Sequence, residues 1–356
     1  MLLRKSVLFC LMASTILAGQ AFGWGPDGHH VVGAIADKLI EGSSAEKHVD
    51  EILNKDSKQK IGLKDASVWA DCAKGIDPKH NYEYRPNVAT EECKPFESRR
   101  ELIQMSNFVR WNDTTCDDWS PGNSCHALFH YTDIAIQRDE YTRTFKGKPL
   151  TGARNDDIVH ALEAAIKVLQ GEAPDKPFFQ DKRDNNRRRE ALLMVAHYVG
   201  DIHQPLHVGA VYLDPHGNPV DPDMAAWNGQ METQGGNLIS VNTNEKNLHA
   251  TWDSIPEWMK FCRLKSRLIR EARHVAPMPK ELAPADWPRA LATDTLKEAR
   301  EAFQGLSFGK KENGFWPATL SAAYIDKMNG IKERQLVKAG ARLAQLLERI
   351  WPEAGD

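Results

Sequence analysis

The sequence has no excess of positive charge: 46 lysines and arginines stand against 49 acids, a formal charge of −3. That balance excludes a broad basic surface of the kind that grips duplex DNA regardless of sequence. It leaves room for a nucleic-acid substrate held through bound cations, because metal charge does not show in a residue count. Long apolar runs are missing after the first two dozen residues, so no later segment is long enough to span a bilayer. No two cysteines have C-x-x-C spacing, which disfavours a thiolate zinc site. Internal repeats and low-complexity linkers are absent, and strand-like alternation is scarce. What is there is a chain of 356 residues, 41% hydrophobic and 27% charged. That is enough for a sizeable core and outside the range of disordered or fibrous chains.

The N-terminus reads as a targeting segment. Arg4 and Lys5 precede an apolar run from Val7 to Ala18, and the small residues Ala21 and Gly23 frame a cleavage site. The run falls short of the roughly 20 residues of a membrane span. Residues 1–23 are therefore expected to be a signal peptide, leaving a soluble domain of residues 24–356 that is secreted or periplasmic. Its loss removes two positive charges and no acid, taking the formal charge from −3 to −5, and makes Trp24 the first residue. Cys10 leaves with it. Cys72, Cys93, Cys116 and Cys125 sit close in sequence and suggest two disulfides in an oxidising compartment. The short Cys116–Cys125 loop makes that pair the first choice, with Cys72–Cys93 second and Cys262 free; other pairings stay open.

Helical periodicity dominates the rest. "HHVVGAIADKLI" has a stripe of Val31, Val32, Ile35, Ala36, Leu39 and Ile40. "NDDIVHALEAAIKVLQG" predicts a helix with Asn155 as N-cap and a stop at Gly171. "RRREALLMVAHYVGDIHQP" predicts a helix that runs until Pro205 breaks it. Two long helices are expected from "PADWPRALATDTLKEAREAF" and from the stretch ending "LAQLLERIW". Residues 211–236 read as a long irregular loop. The fold class that follows is mostly α, a single multi-helix domain.

Within this frame, histidines and aspartates recur at ligand spacing. His197 and Asp201 are four apart, so on a helix they share one face and can grip one cation; His207 falls just past Pro205, free to turn toward a neighbouring site. His203 lies round the helix from His197 and reads as structural. His249 and Asp253 repeat the four-residue spacing. "SVWAD" contributes Asp71 and "LFHYTD" contributes His130. Each alone is an ordinary surface acid or core histidine; together they favour a metal. At the mature N-terminus, "WGPDGHH" adds a free α-amine, with a pKa of about 8, and the Trp24 carbonyl as a chelate. His29 can fold back onto the same ion. Five imidazoles, three carboxylates and one chelate, without sulfur, suit zinc. Nine donors exceed one structural site and point to two or three metals with positions left for water, an arrangement suited to displacement at phosphorus.

The set "WGPDGH", "WAD", "HYTD", "HYVGDIHQPLH", "GGN" and "NLHATWD", in this order, resembles the secreted zinc-dependent type I nucleases. These are the single-strand-specific nucleases of the S1/P1 kind, related in fold to zinc-dependent phospholipase C. The match runs from Trp24 to about Asp253. The resemblance implies an α-helical domain around a cleft with three Zn2+ ions. Asp71, His130, His197 and Asp201 would hold the first. The Trp24 amine and carbonyl, His29 and the second oxygen of Asp201 would hold its close neighbour. His207, His249 and Asp253 would hold the third. Water activated between the paired ions would attack phosphorus, giving 5′-phosphorylated products from single-stranded DNA and RNA. A 3′-nucleotidase activity is a further expectation. Asp71 and Lys74 are carried over as catalytic residues, Lys74 near the scissile phosphate. Tyr131 is carried over as an aromatic that stacks on a base, and Asp133 as an acid that bonds a base edge.

Two departures stand out. The connection of residues 72–129 is longer than in compact fungal members and holds four cysteines, so it reads as an insertion that can reshape the cleft. Ser254 stands where some relatives have an amide near the substrate. Two other readings compete: a phospholipase C of the same fold, and a non-catalytic periplasmic zinc-binding protein. The polar loop at 211–236 and the match of Tyr131 and Asp133 favour the nuclease. No membrane partner is expected, and the chain is expected to be a monomer.

Overall fold

The structure, a computed structural model, describes residues 23–55, 59–85, 91–115, 125–173, 178–179, 184–224, 229–260 and 266–353. The expected leader up to residue 22, Cys116 and Cys262 lie outside the described residues. In chain order the helices are α1 (Pro26–Leu39), α2 (Ser44–Asn54), α3 (Leu63–Ala66), α4 (Trp69–Ala73), α5 (Arg99–Thr115), α6 (Ile158–Leu169), α7 (Asp184–Asp201), α8 (Leu248–Asp253), α9 (Ser266–Ala272), α10 (Trp287–Phe303) and α11 (Ala322–Ile350). The described strands are short two-stranded pairs. The mostly helical single domain expected from periodicity is what forms. Among the described residues no helix is long and apolar enough to cross a membrane.

The centre of the domain is α7. Every side chain from Ala191 to Val199, and Asp201 after it, is buried, because α1, α2, α3, α4, α6 and α11 all pack on this helix. A helix surrounded on all sides needs apolar residues all round rather than one stripe. Its few polar residues, His197 and Asp201 among them, therefore stand in the interior. α1 starts on Pro26, with Asp27 in its first turn, and packs along α11.

Two helix ends differ from the sequence expectation. The cap of α6 is Asp157, not Asn155: its carboxylate accepts the N–H groups of Val159 and His160. Gly171 does end that segment, at φ +84°. α7 stops at Asp201, before Pro205. The residue ahead of that proline, Gln204, is extended (φ −80°, ψ 117°), and its side chain caps a short 3-10 turn, Pro205–His207, by accepting the Leu206 N–H. The early stop turns His207 off the helix axis.

Short parallel ladders fasten the loops around α7. Ile134–Ala135 pairs with Gly209–Ala210, and the Thr132 N–H donates to the His207 carbonyl at 2.8 Å. The segment after His130 is thereby tied to the segment after His207. The loop at 211–236 is not wholly irregular: Tyr212–Leu213 and Pro219–Val220 form an antiparallel pair. In the cysteine-bearing region, Cys72 is bonded to Cys93 with Cα atoms 5.6 Å apart. A loop of this length contributes roughly 3 kcal/mol by restricting the unfolded chain. Cys125 is also disulfide-bonded; the expected Cys116 end of that bridge lies outside the described residues.

Candidate metal centre

Helical spacing builds half of each ligand group and tertiary packing the other half. On α7 the four-residue step brings His197 Nε2 within 2.9 Å of Asp201 Oδ2. The 3-10 turn Cys125–His130 then delivers His130 Nδ1 to 2.9 Å from the same oxygen and 3.0 Å from His197 Nε2. From α1, His29 Nε2 reaches the other oxygen, Asp201 Oδ1, at 3.2 Å, and its ring stacks on His197 with centroids 3.9 Å apart. Gly200 permits that approach, since a Cβ there would lie 3.0 Å from His29 Nδ1. Asp71 on α4 closes the group, 3.8 Å from His130 and His197 through Oδ1 and 4.0 Å from His29 through Oδ2. Asp201 thus presents one oxygen to each half of the cluster.

A second group adjoins the first. On α8, His249 Nε2 lies 3.5 Å from Asp253 Oδ2, and His207 Nε2 lies 3.1 Å from His249 Nε2. The "GGN" segment packs the pocket from the side: Gly235, at φ +57°, accepts the His249 Nδ1–H on its carbonyl at 2.8 Å. A Cβ at Gly235 would run into the Leu206 carbonyl at 2.5 Å. His207 and Asp201 remain 3.9 Å apart, so the two groups share a wall.

The donor chemistry decides what fits. His197 Nδ1 donates to the Ser67 carbonyl at 2.6 Å, and His207 Nδ1 to the His130 carbonyl at 2.7 Å. With His249 Nδ1 committed to Gly235, all three rings turn Nε2 into the pockets. The Nε2 atoms of His207 and His249, 3.1 Å apart, need a proton or a cation between them. Ligand nitrogens around a tetrahedral ion at bond lengths of about 2.0–2.1 Å are themselves about 3.3 Å apart. Both His29 nitrogens, Asp71 Oδ2 and Asp201 Oδ1 are buried without a hydrogen-bond partner, in the same small volume. Three triads here have ligand atoms within 4.8 Å of one another: His29, Asp71 and His197; His130, His197 and Asp201; His207, His249 and Asp253. These residues could hold metal, and a cation explains atoms that protein partners leave unsatisfied.

The ionisation pattern agrees. Burial, then the neighbouring His197, bring the His29 pKa down to about 4, and burial chiefly lowers His130. Both are therefore neutral donors near pH 7. Burial alone would raise Asp71, but Lys74 and then His197 hold it well below the usual carboxylate range. Asp201 is likewise held low against burial, by His197, His207 and His29. Burial works against a proton on His197, but Asp201 and Asp71 outweigh it and raise its pKa. A proton on His197 supplies the positive charge that two ionised carboxylates require; a cation bound by the same atoms replaces it. Asp253 differs: burial first, then the charges of Asp201 and Asp71, push its carboxyl well above the usual range.

The remaining sequence candidates lie around these pockets. Lys74 donates to Asp71 Oδ1 at 2.7 Å, its side chain 2% exposed. Trp24 is fully buried and its indole donates to the Gly200 carbonyl at 3.0 Å, while the Gly25 N–H donates to the Asp253 carbonyl at 3.0 Å. The N-terminal segment is thereby bonded to both pockets. A Cβ on Gly23 would sit 1.7 Å from Asp201 Oδ1, so the chain enters the first pocket at the peptide joining Gly23 to Trp24. Tyr131 follows His130, and Asp133 lies 5% exposed beside Gly235, which a Cβ would bring to 3.4 Å from Asp133 Oδ1. His203 stands apart from both groups, its Nδ1 on the Val199 carbonyl at 2.8 Å. Ser254 turns its hydroxyl to Glu245 at 2.7 Å.

Sequence reasoning missed four supports. Ser67 orients His197, and Gln204 donates to Asp253 Oδ1 at 2.6 Å. Lys332 on α11 donates to the Thr251 and Ser254 carbonyls at the end of α8, both at 2.6 Å. Glu232 lies within hydrogen-bond reach of Asp133. Gln204 stood inside a motif and was open to notice. The others come from distant segments with no local signal.

Comparison with known proteins agrees with this geometry. The S1/P1 nuclease family matches residues 24–352. Endonuclease 2 of Arabidopsis thaliana is 40% identical over 354 residues, covering 94% of this chain and 92% of that protein. Nuclease S1 of Aspergillus oryzae is 25% identical over 356 residues, covering 95% of each. Endonuclease 5 of Arabidopsis thaliana is 24% identical over 361 residues, covering 96% and 95%. The match begins at Trp24 and takes in both histidine–aspartate groups, and on that extent the chain belongs to the S1/P1 nuclease family.

Proposed function

We propose that this nuclease is an exported, zinc-dependent endonuclease that hydrolyses single-stranded DNA and RNA to 5′-phosphorylated products, with 3′-nucleotidase activity as a further property. The observation that carries the reading is the pair of adjoining pockets in which imidazole nitrogens and carboxylates converge, with both His29 nitrogens, Asp71 Oδ2 and Asp201 Oδ1 buried without a hydrogen-bond partner and Asp201 facing both halves of the larger one. Nitrogen and oxygen donors without thiolate suit zinc. Asp71, His130, His197 and Asp201 would hold one ion; the Trp24 amine and carbonyl, His29 and Asp201 a second; and His207, His249 and Asp253 a third. When bound, zinc supplies Lewis acidity and water that ionises at about pH 7.

The side chains around the ions do the rest. Asp201, with one oxygen toward each half of the larger pocket, would help to hold both ions of the pair. Asp71 would ligate one ion and anchors Lys74, whose ammonium would add positive charge beside the phosphate. Tyr131 offers a ring on which an unstacked base can lie, and Asp133 a carboxyl for the base edge. Stacking on one ring tolerates any sequence but needs a base already out of a duplex, which selects single strands. Bound ions would neutralise the phosphodiester charge, consistent with a chain whose own balance is acidic.

The test combines zinc content per chain with rates on single- and double-stranded DNA and on phosphatidylcholine. Three zinc ions with single-strand preference and 5′-phosphate ends is the expected result. Turnover of the lipid alone overturns the reading in favour of a phospholipase. Retained metal with no phosphodiesterase turnover overturns it in favour of a binding protein.

A further inference from the structure

A basic strap leads from the cleft to a second cavity. Residues 141–155 hold Arg143, Lys146, Lys148 and Arg154 and no acid, in a chain whose formal charge is −3. One end of the strap lies against the segment that carries Tyr131 and Asp133. The Gly152 carbonyl accepts the Thr132 hydroxyl at 2.8 Å, and a Cβ on Gly152 would meet the Asp133 carbonyl at 2.1 Å. The other end opens on a cavity of about 320 Å³. Arg143 and Asn155 line it from the strap. His160, Glu163 and Lys167 line it from α6, where steps of three and four residues place them on one face. Phe178 adds an aromatic wall; its ring packs on Phe129 at 5.1 Å between centroids, and Phe129 directly precedes His130. Glu163 is the acid of this lining and is answered by Arg289 on α10 at 3.4 Å, so Arg143 and Lys167 leave the cavity positive. His160 Nδ1 donates to Asp157 Oδ1 at 2.9 Å, while its Nε2 is buried without a hydrogen-bond partner. A buried polar atom left open beside a cavity calls for a partner from within it. The volume lies at the small end of ligand pockets, about 300–1,000 Å³, and suits one nucleotide.

We propose that this cavity is a second nucleotide subsite, holding a further nucleotide of the same single strand that is cut at the metal centre. The inference rests on the reading above, in which the chain hydrolyses single-stranded nucleic acid. Arg143 and Lys167 meet the phosphates of the strand there, and Asn155 offers an amide to phosphate or sugar. The strap between Gly152 and Arg143 carries the intervening backbone. An acidic protein repels a polyanion as a whole, so cations gathered on one strap set the direction in which the strand leaves the cleft. Contacts of this kind follow the backbone and read no sequence, in keeping with an enzyme that selects unpaired strands rather than particular bases. The subsite serves only substrates long enough to reach it. A dinucleotide uses the cleft alone, and a longer strand uses both.

Substrate length and salt test the subsite together. The zinc-loaded enzyme and the double variant Arg143→Ala, Lys167→Ala are assayed on a dinucleotide and an octanucleotide of one base, between about 50 and 200 mM salt. Wild type should favour the octanucleotide in kcat/KM, and the double variant should lose most of that preference, with the effect confined to the longer substrate. Each phosphate contact on a single strand contributes about 0.7 to the slope of log affinity against log salt, so losing two should lower the slope by about 1.4, or about sevenfold less weakening across this range. Calorimetry with a mononucleotide 5′-phosphate, set against inorganic phosphate, is the second readout. The double variant should bind one mononucleotide fewer per chain than wild type. Equal length preference and equal salt slopes in the two proteins overturn the proposal, and so does an equal count of bound mononucleotides. Inorganic phosphate binding there as tightly as the mononucleotide also overturns it, in favour of a simple anion site. Absence of turnover on both substrates overturns the nuclease reading instead, and the count of mononucleotides then still decides the subsite. Arg143 is exposed, so Arg143→Ala alone, with a slope change of about 0.7, decides if the double variant does not fold.

Discussion

The two ligand pockets use the same residue types and differ in how they are charged. The larger one draws His29, Asp71, His130, His197 and Asp201 from four separate elements, and both of its carboxyls are held ionised. The smaller one has His207, His249 and Asp253, two of them from one short helix, and its single carboxyl is pushed toward the neutral form by burial. Density of donors explains the contrast. In the larger pocket imidazoles and Lys74 outnumber the acids and outweigh desolvation. In the smaller one Asp253 faces burial and the charge of two other acids with less to offset them. A cation entering the larger pocket meets carboxyls held toward the ionised form; one entering the smaller pocket meets a carboxyl that burial pushes toward the neutral form.

The largest expected effect breaks the larger pocket. Asp201→Asn removes the carboxylate that approaches both halves most closely, 2.9 Å from His197 and His130 and 3.2 Å from His29. We expect it to lower zinc content by two ions and hydrolysis by about a thousandfold or more, on the scale of removing a metal's contribution to the transition state. Asp133→Asn and Asp253→Asn should each cost less. Equal zinc content and equal rates in Asp201→Asn and Asp253→Asn would erase the distinction drawn above. Next in size is the N-terminus. A chain that keeps residues ahead of Trp24 carries an amide where the proposed chelate requires a free amine, and Gly23 lies against Asp201. It should lose one ion of the pair and most activity, while the smaller pocket stays filled. Full turnover by an extended chain, verified by mass, would contradict the chelate.

A chelator titration sharpens the same contrast. Metal should leave in two stages, first from the pocket of His207, His249 and Asp253, with most activity lost before the paired ions are released. Each stage should lower thermal stability, because a ligand present at a thousand times its dissociation constant contributes about 4 kcal/mol. A single concerted release, seen by elemental analysis of chelator-treated samples, would show the pockets to be coupled rather than graded.

The smallest effect concerns Lys332, the support of α8. Burial brings its pKa down to about 8, against about 10.4 in an unfolded chain. Between those values the unfolded chain binds the proton more tightly than the folded one, so this group's contribution to stability rises with pH across the window. Lys332→Met should flatten that rise in urea titrations taken from about pH 7.5 to 10.5, and should loosen metal in the smaller pocket several-fold more than in the larger one. Parallel slopes for the two proteins would remove Lys332 from this role.

How much could be read beforehand depends on distance along the chain. His197 with Asp201 and His249 with Asp253 are local pairs, and helical spacing alone predicts their meeting. The helix stops were less legible. Asp157 outcompeted Asn155 as a cap because the carboxylate next to the first helical residue reaches two amides at once. α7 ended early because Gln204, ahead of a proline, had to be extended. Lys332 was invisible because it acts on a carbonyl 81 residues away, and Glu232 because it acts on an acid brought in from another loop. A lone Glu or Lys carries no periodic signature.

The sequence by itself determined the helices, the family and the identity of the donors, because these depend on side-chain type and on steps of three or four residues. Only the tertiary structure decided that Asp201 faces two halves, that burial pushes Asp253 toward the neutral form while Asp201 is held low, and that Asp133 has an acidic neighbour. Charge state and contact at such sites follow from burial and from groups delivered by remote segments, and neither quantity exists until the chain has closed around them.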